Sequence, residues 1–520
     1  MKKYVFASVF LVLNQLVYSQ NNYYVQFSDK YCTEFSLSNP QQFLSGRAIQ
    51  RRLNQRIAID SLDLPVCKDY LDSLKNHQAE IILCSKWLNG VTIAISDTSQ
   101  LTQIENLPFV NFVQCTKNSA LAAPARQNIV TQNNDYQINT YQNTMIGVDL
   151  IHNAGFRGDG KTIAVLDAGF PNVNTMSAFD FIRPRILGTY NFVDMTQDVY
   201  RRNSHGTMVL STIGANIPNE FVGTAPGASF WLFLTEDVGS ETIREMDNWI
   251  AAAEMADSVG ADIITSSLGY YFFDDAPQLS YSDLDGKTTR ISRVATIAAR
   301  KGIVVLNAAG NEGNSEWHHI IVPADADSIL TIGGVDYQQN PSSFTSFGPA
   351  SDGRIKPTIA TQGTMTTVVY NDQISTANGT SFATPIAAGM MACLWQALPN
   401  LTNMELISKI IEFSSQYQNP DNQLGYGVPN AWAAYESGIT KIYDTQKDNV
   451  FSAQFIDDFL RINNCILDNY TIFIYDVSAR IIFRGQGSNN SNFYIPNIDK
   501  GVYIVHIISS LGRYSKKTVK

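Results

Sequence analysis

The sequence predicts an α/β protein with a parallel sheet in its central part, a small α+β module before it and a small all-β sandwich after it. Between residues 145 and 440, short apolar runs such as 163–166 and 303–306 alternate with amphipathic helical stretches such as 243–259. This alternation is typical of a parallel sheet that is covered on both faces. In such sheets the functional residues gather at the carboxyl ends of the strands, so candidate residues are sought there.

The length and composition of the chain describe a folded protein of several domains. A chain of 520 residues predicts roughly two to four domains, and 44% hydrophobic with 16% charged residues excludes a disordered chain. The net charge of −10, without a basic stripe, argues against a nucleic-acid partner. The six cysteines lack metal-ligand spacing and no D-x-D-x-D-G run is present, so we predict no metal and no cofactor.

The chain begins with a predicted secretory signal peptide at residues 1–19. Two lysines precede the apolar run 4–17, which is too short and too interrupted by polar residues for a membrane anchor. The remaining sequence contains no membrane-spanning run.

Residues 20–120 form the predicted α+β module. Its predicted elements are a strand at 23–27, a helix at 40–57, a helix at 68–76 and a strand at 91–95. Residues 121–144 are rich in Ala, Gln and Asn, which is typical of an exposed linker where chains are cut.

Residues 445–520 form the predicted all-β sandwich. Short alternating stretches are separated by Gly and Asn residues, as expected for strands joined by turns. The predicted strands are 471–475, 479–484, 492–495 and 502–508.

Three polar residues of the central part, 145–440, stand where catalytic side chains are expected. Asp167 follows an apolar strand, His205 precedes a helical pattern, and Ser381 stands at the start of the uncharged run 382–398. A serine that attacks a carbonyl group, a histidine that takes its proton and an aspartate that holds the imidazole together make one mechanism.

Asn311, which follows the strand predicted at 303–306, adds a hydrogen-bond donor to this set. Its amide and the backbone N–H of Ser381 could together hold an oxyanion. Taken singly, the serine would be a helix N-cap, the aspartate and the asparagine turn residues, and the histidine a structural cap. Their joint occurrence in this order favours the catalytic interpretation.

The motifs around these residues resemble those of the subtilisin-like serine proteases, the subtilase or S8 family. The matching stretches are AVLDAG at 164–169, SHGT at 204–207, GTAPGA at 223–228, SSLG at 266–269, AAGNEG at 308–313, SFTSFGP at 343–349, DGRIKP at 352–357 and GTSFATP at 379–385. The chain order Asp, His, Ser is also the subtilisin order and differs from that of chymotrypsin-type enzymes. The resemblance covers residues from about 145 to 438.

The resemblance implies a secreted serine endopeptidase that cleaves polypeptide substrates through an acyl-enzyme. It gives Asp167, His205 and Ser381 the triad roles and Asn311 the oxyanion role. Its order of domains implies that residues 20–120 are a propeptide that inhibits the enzyme until it is cut. We expect a zymogen that processes itself.

The resemblance also assigns two short segments to substrate binding. An extended substrate would pair with the first segment, and the small residues of the second would form a wall of the pocket for the residue before the scissile bond. The two segments are Ser267, Leu268 and Gly269, and Ala308, Ala309 and Gly310. The small wall residues leave room for a large apolar or aromatic side chain, which we predict as the preference.

Two positions depart from the family pattern. Ala168 stands where the family usually has Ser or Thr, and we expect the change to tune the activity without abolishing it. The aromatic residues 270–273 replace a small-residue loop, and they either shape the substrate cleft or form a covered hydrophobic patch.

The C-terminal sandwich resembles the C-terminal sorting domains of Bacteroidetes type IX secretion cargo. The resemblance lies in GVYIV at 501–505 and the basic terminus at 515–520. It implies the secretion machinery as a partner and a secreted or cell-surface location. An ordinary appended β-domain that binds carbohydrate or substrate is the plainer interpretation.

Two further interpretations of the whole chain stay open. The first is a catalytically silent, surface-displayed binding protein on a subtilase scaffold, which an intact set of catalytic residues disfavours. The second is a sedolisin-type carboxyl-serine peptidase, in which a glutamate would stand in place of His205. We expect a monomer in each case.

Overall fold

The structure is a computed structural model that describes residues 20–118, 139–439, 451–463, 465, 467–476, 480–509 and 512–520. It divides into two compact units, 1–439 and 440–520. The predicted signal peptide and most of the predicted linker lie outside the described residues. Among the helices described, none is long and apolar enough to cross a membrane.

The N-terminal module contains an antiparallel sheet of four strands in the order β2-β3-β1-β4. The strands are β1 Asn21–Phe27, β2 Glu80–Ser85, β3 Gly90–Ile95 and β4 Val110–Lys117. The helices are α1 Gly46–Gln55, α2 Lys68–Asn76 and α3 Leu101–Glu105. A disulfide joins Cys32 to Cys67.

The helix predicted at 40–57 is wrong in its first part. Pro40–Gln42 form a separate 3-10 turn, and α1 begins only after Ser45. The Ser45 side chain accepts the backbone N–H of Ala48. A serine in this position satisfies a first-turn donor, so it starts a new helix inside a stretch whose pattern looks continuous.

The central part contains the predicted parallel sheet, with seven strands in the order β13-β12-β11-β10-β5-β9-β6. The strands of this region are β5 Thr162–Asp167, β6 Ile186–Asn191, β7 Asn216–Ile217, β8 Phe221–Val222, β9 Ser229–Leu234, β10 Ile263–Ser266, β11 Val304–Ala308, β12 Leu330–Val335, β13 Ile359–Gln362, β14 Thr366–Tyr370 and β15 Gln373–Ala377. Every residue of β5, β10, β11, β12 and β13 is buried. Burial on both faces explains why these strands are continuous apolar runs in the sequence.

The central part also contains helices, several of which pack against this sheet. They are α4 Asn139–Thr144, α5 Val148–Asn153, α6 His205–Gly214, α7 Ile243–Val259, α8 Arg290–Arg300, α9 Thr380–Ala397, α10 Asn403–Glu412 and α11 Ala431–Ile439. The uncharged helix α9 packs on β10, β11 and β12 and on α6, which explains its lack of a polar face. The buried packing of α9 fixes its first turn at the end of the sheet.

The second unit is an all-β sandwich, as predicted. Its two antiparallel sheets have the orders β16-β17-β20 and β19-β18-β21-β22. The strands are β16 Ser452–Ile456, β17 Phe459–Asn463, β18 Tyr470–Tyr475, β19 Ile481–Gly487, β20 Ser491–Tyr494, β21 Val502–Ser509 and β22 Gly512–Val519. Side chains of both sheets, among them Leu460, Ile472 and Val505, share one buried core.

Candidate active site

The predicted catalytic residues lie together at the carboxyl end of the parallel sheet. Asp167 is the last residue of β5, His205 the first of α6 and Ser381 the second of α9. His205, Ser381 and Asn311 line one cleft. The fold therefore brings together four residues that lie far apart in the sequence.

The carboxylate of Asp167 holds the imidazole of His205. Oδ1 of Asp167 lies 2.7 Å from Nδ1 of His205 and accepts the backbone N–H of Ala168 at 2.7 Å. Asp167 is fully buried, and no described residue donates a hydrogen bond to its Oδ2. Burial disfavours the imidazolium form, but the carboxylate and its hydrogen bond outweigh burial and raise the pKa of His205.

Ser381 lies in the first turn of α9 but does not cap the helix. Gly379 occupies the N-cap position, with a φ angle of 145° that favours glycine. The N-cap interpretation of Ser381 is therefore wrong, and its own N–H is one of the first-turn donors without a partner in the helix. Its Oγ donates to the carbonyl oxygen of Ser267 at 3.2 Å, and no hydrogen bond between described residues joins it to His205.

The carbonyl group of Ser381 is held by a second contact with Ser267. In a regular helix this oxygen would accept the N–H of residue 385, but Pro385 has none. Instead, Oγ of Ser267 donates to it at 2.7 Å. Ser267 thus fixes the backbone of the candidate nucleophile from the neighbouring strand end.

The amide of Asn311 is oriented by Thr380. Oδ1 of Asn311 accepts the backbone N–H of Thr380 at 2.9 Å and its hydroxyl at 3.1 Å. This leaves Nδ2 as the donor of the amide, and it makes no hydrogen bond to a described residue. The backbone N–H of Ser381 and Nδ2 of Asn311 are then two donors at one cleft.

The predicted substrate-binding segments border the same cleft, except for one residue. The lining residues among them are Ser267, Leu268, Gly269, Ala308 and Gly310. The first segment follows β10 and belongs to no strand. Ala309 is fully buried and packs in the hydrophobic core instead of lining the cleft.

Of the aromatic residues 270–273, two shape the cleft and two form a covered hydrophobic patch, so each of the two interpretations holds for one pair. Tyr271 and Phe272 line the cleft. Tyr270 and Phe273 are 1% and 4% exposed and belong to the hydrophobic core. The loop therefore shapes the cleft with one pair of rings and anchors itself with the other.

The sequence analysis missed Glu236, a carboxylate beside the candidate triad. Glu236 lines the cleft although it is only 8% exposed. Burial raises its pKa, and the charge of Asp167 adds to this effect whereas His205 opposes it. No motif marks Glu236, but it comes two residues after the buried strand β9, at the sheet edge where functional residues gather.

Three family models match successive parts of the chain. Residues 22–135 match the Peptidase S8 propeptide domain of Bacteroidota, and residues 158–427 match the Subtilase family, Peptidase S8. Residues 456–520 match the secretion system C-terminal sorting domain.

Two subtilisins and one solved structure are similar to parts of this chain. Subtilisin NAT of Bacillus subtilis subsp. natto is 30% identical over 302 residues, which cover 56% of this chain and 70% of the relative. Subtilisin Savinase of Lederbergia lenta is 28% identical over 287 residues, covering 54% and 93%. The crystal structure of MycP1 from Mycobacterium smegmatis is 21% identical with a TM-score of 0.47, covering 62% of this chain and 89% of that one.

Proposed function

Because the chain belongs to the subtilase family of serine endopeptidases, we propose that it cleaves peptide bonds through Asp167, His205 and Ser381. The observation that carries the proposal is the contact of 2.7 Å between the buried Asp167 carboxylate and Nδ1 of His205. This contact fixes the tautomer that leaves Nε2 free to take a proton, and it stabilises the imidazolium that forms.

The steps follow from the residues at the cleft. Ser381 Oγ turns from the Ser267 carbonyl group towards His205, loses its proton to Nε2 and attacks the substrate carbonyl carbon. The oxyanion that forms accepts hydrogen bonds from the N–H of Ser381 and from Nδ2 of Asn311. His205 then gives the proton to the leaving amine. In the second half of the reaction, water loses a proton to His205 and attacks the acyl group. His205 returns the proton to Ser381 Oγ as the acyl group leaves.

The propeptide and the C-terminal sorting domain indicate how the enzyme is made and exported. The chain carries a Bacteroidota-type S8 propeptide, and its C-terminal sorting domain marks it for export and for secretion or cell-surface attachment. We further propose that the enzyme is a zymogen that removes this propeptide itself, within the segment between about Cys115 and Thr144, most of which lies outside the described residues. The family matches give no support to a silent binding protein.

The test uses full-length protein and two variants. We expect a fluorophosphonate probe to label Ser381 in the wild-type protein and to fail with His205→Ala, because the serine is then no longer activated. Ser381→Ala should accumulate uncut, and its peptide hydrolysis should fall by four or more orders of magnitude. Mass spectrometry of the N-termini measures the processing. Normal processing of Ser381→Ala would reject self-cleavage, and undiminished labelling of His205→Ala would reject the triad.

A further inference from the structure

The cleft beside His205 is strongly acidic. Five carboxylates line it, and among its described lining residues there is no lysine or arginine. The carboxylates are Glu236, Glu241, Glu245, Asp274 and Glu312. Charges of one sign in close proximity repel one another, and the field they create attracts a cation to the cleft.

Structural roles account for three of these side chains. Glu245 accepts the backbone N–H groups of Thr242 and Asp237 at 2.9 Å and so completes the capping box of α7. Asp274 accepts the backbone N–H of Glu241 at 2.8 Å. Glu312 accepts the hydroxyl of Tyr271 at 3.1 Å, which positions that ring at the cleft wall.

Glu236 is different, because it is more than nine-tenths buried and only one of its oxygens accepts a hydrogen bond from a described residue. Oε1 accepts the hydroxyl groups of Thr235 at 2.7 Å and Tyr270 at 2.8 Å. No hydrogen bond from a described residue reaches Oε2, and neither donor to Oε1 carries a charge. Burial raises the pKa of Glu236, because the groups around it do not fully offset the cost of burying its charge.

The N-terminal module places a cation beside the residue that follows Glu236. β4 ends at Lys117, whose Nζ lies 3.8 Å from Oδ2 of Asp237, the residue after Glu236. The next backbone N–H, of Asn118, donates to Asp275 at 2.6 Å. A lysine from a separate segment of the chain therefore pairs with the carboxylate adjacent to Glu236.

We propose that the cleft binds a lysine or arginine side chain of the polypeptide substrate against Glu236, so that the enzyme selects substrates with a basic residue close to the scissile bond. The inference rests on the proposed function, since it names the substrate class of the same site. An ammonium or guanidinium group supplies both the missing donor to Oε2 and the missing positive charge. The predicted apolar preference concerns the separate wall of Ala308 and Gly310, and the two preferences are compatible.

The experiment uses the processed enzyme and a set of quenched peptides. The parent peptide has only neutral residues around its cleaved bond, and a single lysine is moved through each position, with glutamine as the neutral control. We expect lysine at one position to raise kcat/KM about 10- to 100-fold over glutamine. Active sites are counted with the fluorophosphonate probe, so that partly folded protein does not distort the values.

Two variants assign the effect. Glu236→Gln should bring the ratio of kcat/KM for lysine and glutamine peptides close to one. Glu412→Gln removes the same charge from an exposed ion pair with Lys409 and should leave the ratio at its wild-type value. A smaller loss of that ratio in Glu236→Gln than in Glu412→Gln would overturn the proposal.

The other outcomes are equally decisive. Equal rates for lysine and glutamine peptides in the wild-type enzyme would overturn this inference and leave the proposed function standing. Loss of the lysine preference on addition of EDTA would assign the carboxylates to a metal ion and also overturn it. Equal losses for both peptides in Glu236→Gln would show that the glutamate acts through His205. A wild-type enzyme that cuts no peptide would remove both proposals.

Discussion

The two ends of helix α7 handle buried acidic charge in opposite ways. At its last turn, Asp257 is fully buried where the N-terminal module docks, and three cations of the module surround it. Nη2 of Arg51 lies 2.5 Å, Nη2 of Arg52 2.9 Å and Nζ of Lys86 3.1 Å from the Asp257 carboxylate. Before the other end, between β9 and α7, Glu236 of the cleft receives hydrogen bonds from two hydroxyl groups and from no other described residue.

The pKa values of Asp257 and Glu236 are shifted in opposite directions. Burial opposes the charge of Asp257, but Lys86, Arg51 and Arg52 outweigh it and hold the pKa of its carboxyl well below the usual range. A carboxylate in a last helical turn is also disfavoured by the helix dipole, which adds to the need for these cations. For Glu236, burial dominates and the pKa rises. The docked N-terminal module thus uses paired charge, whereas we propose that the Glu236 carboxylate is paired by a side chain of the substrate.

The largest predicted effect comes from removing one of the cations that pair with Asp257. Arg52 is 1% exposed and joins Asp63 of the module to Asp257 of the central domain. In a Ser381→Ala background, which prevents cleavage, Arg52→Met should lower the free energy of unfolding by about 3 to 5 kcal/mol, because two buried carboxylates lose a cation. Urea denaturation measures the change.

The matched control is Lys68→Met. Lys68 forms an ion pair with Asp72 on the exposed surface of the same module, with 67% and 44% of the two side chains exposed. Water replaces such a pair, so no measurable change is expected. Equal changes in the free energy of unfolding of the two variants would mean that the buried ion pairs stabilise the docked module no more than an exposed ion pair does.

The second prediction concerns the cleft and gives the pH dependence of activity that follows from the pKa of His205. His205 acts as a base only when it is neutral, and the Asp167 carboxylate raises its pKa against the opposing effect of burial. Activity is therefore full above the raised pKa and is lost as the pH falls through it. On a neutral peptide, kcat/KM should decline about tenfold per pH unit on the acid side, with its midpoint above pH 6.5. A midpoint below that value would contradict the dominance of Asp167 over burial.

The smallest predicted effect comes from adding a donor near the Asp167 carboxylate, whose second oxygen receives no hydrogen bond from a described residue. Oδ2 of Asp167 is buried and receives no hydrogen bond from a described residue, and Ala168 stands next to it in the chain. Ala168→Ser offers a hydroxyl, but the contact between Oδ1 of Asp167 and His205 does not depend on it. We expect kcat/KM to stay within an order of magnitude of the wild-type value. A change of several orders, measured per labelled active site, would show that Oδ2 contributes directly to catalysis.

The sequence alone determined the fold class and the candidate catalytic residues. The parallel sheet, the bounds of α7 and the positions of Asp167, His205 and Ser381 could all be predicted, because strand and helix patterns depend on neighbours along the chain. Because parallel strands run in the same direction, the residues that follow them lie together at one edge of the sheet. The break before α1 was missed, since one serine at an N-cap position changes a pattern that otherwise continues.

Only the tertiary structure decided how the charges are paired. Arg52 meets Asp257 across 205 positions of sequence, and Ser267 holds Ser381 across 114. Nothing in the local sequence separates an arginine in water from one buried against two carboxylates, or Glu236 from an ordinary surface glutamate. Burial and pairing are properties of the space around a side chain, and that space is filled by residues distant in the chain. The subtilase motifs therefore predicted the candidate site, while the structure was needed to distinguish the charge paired with the N-terminal module from the charge at the cleft.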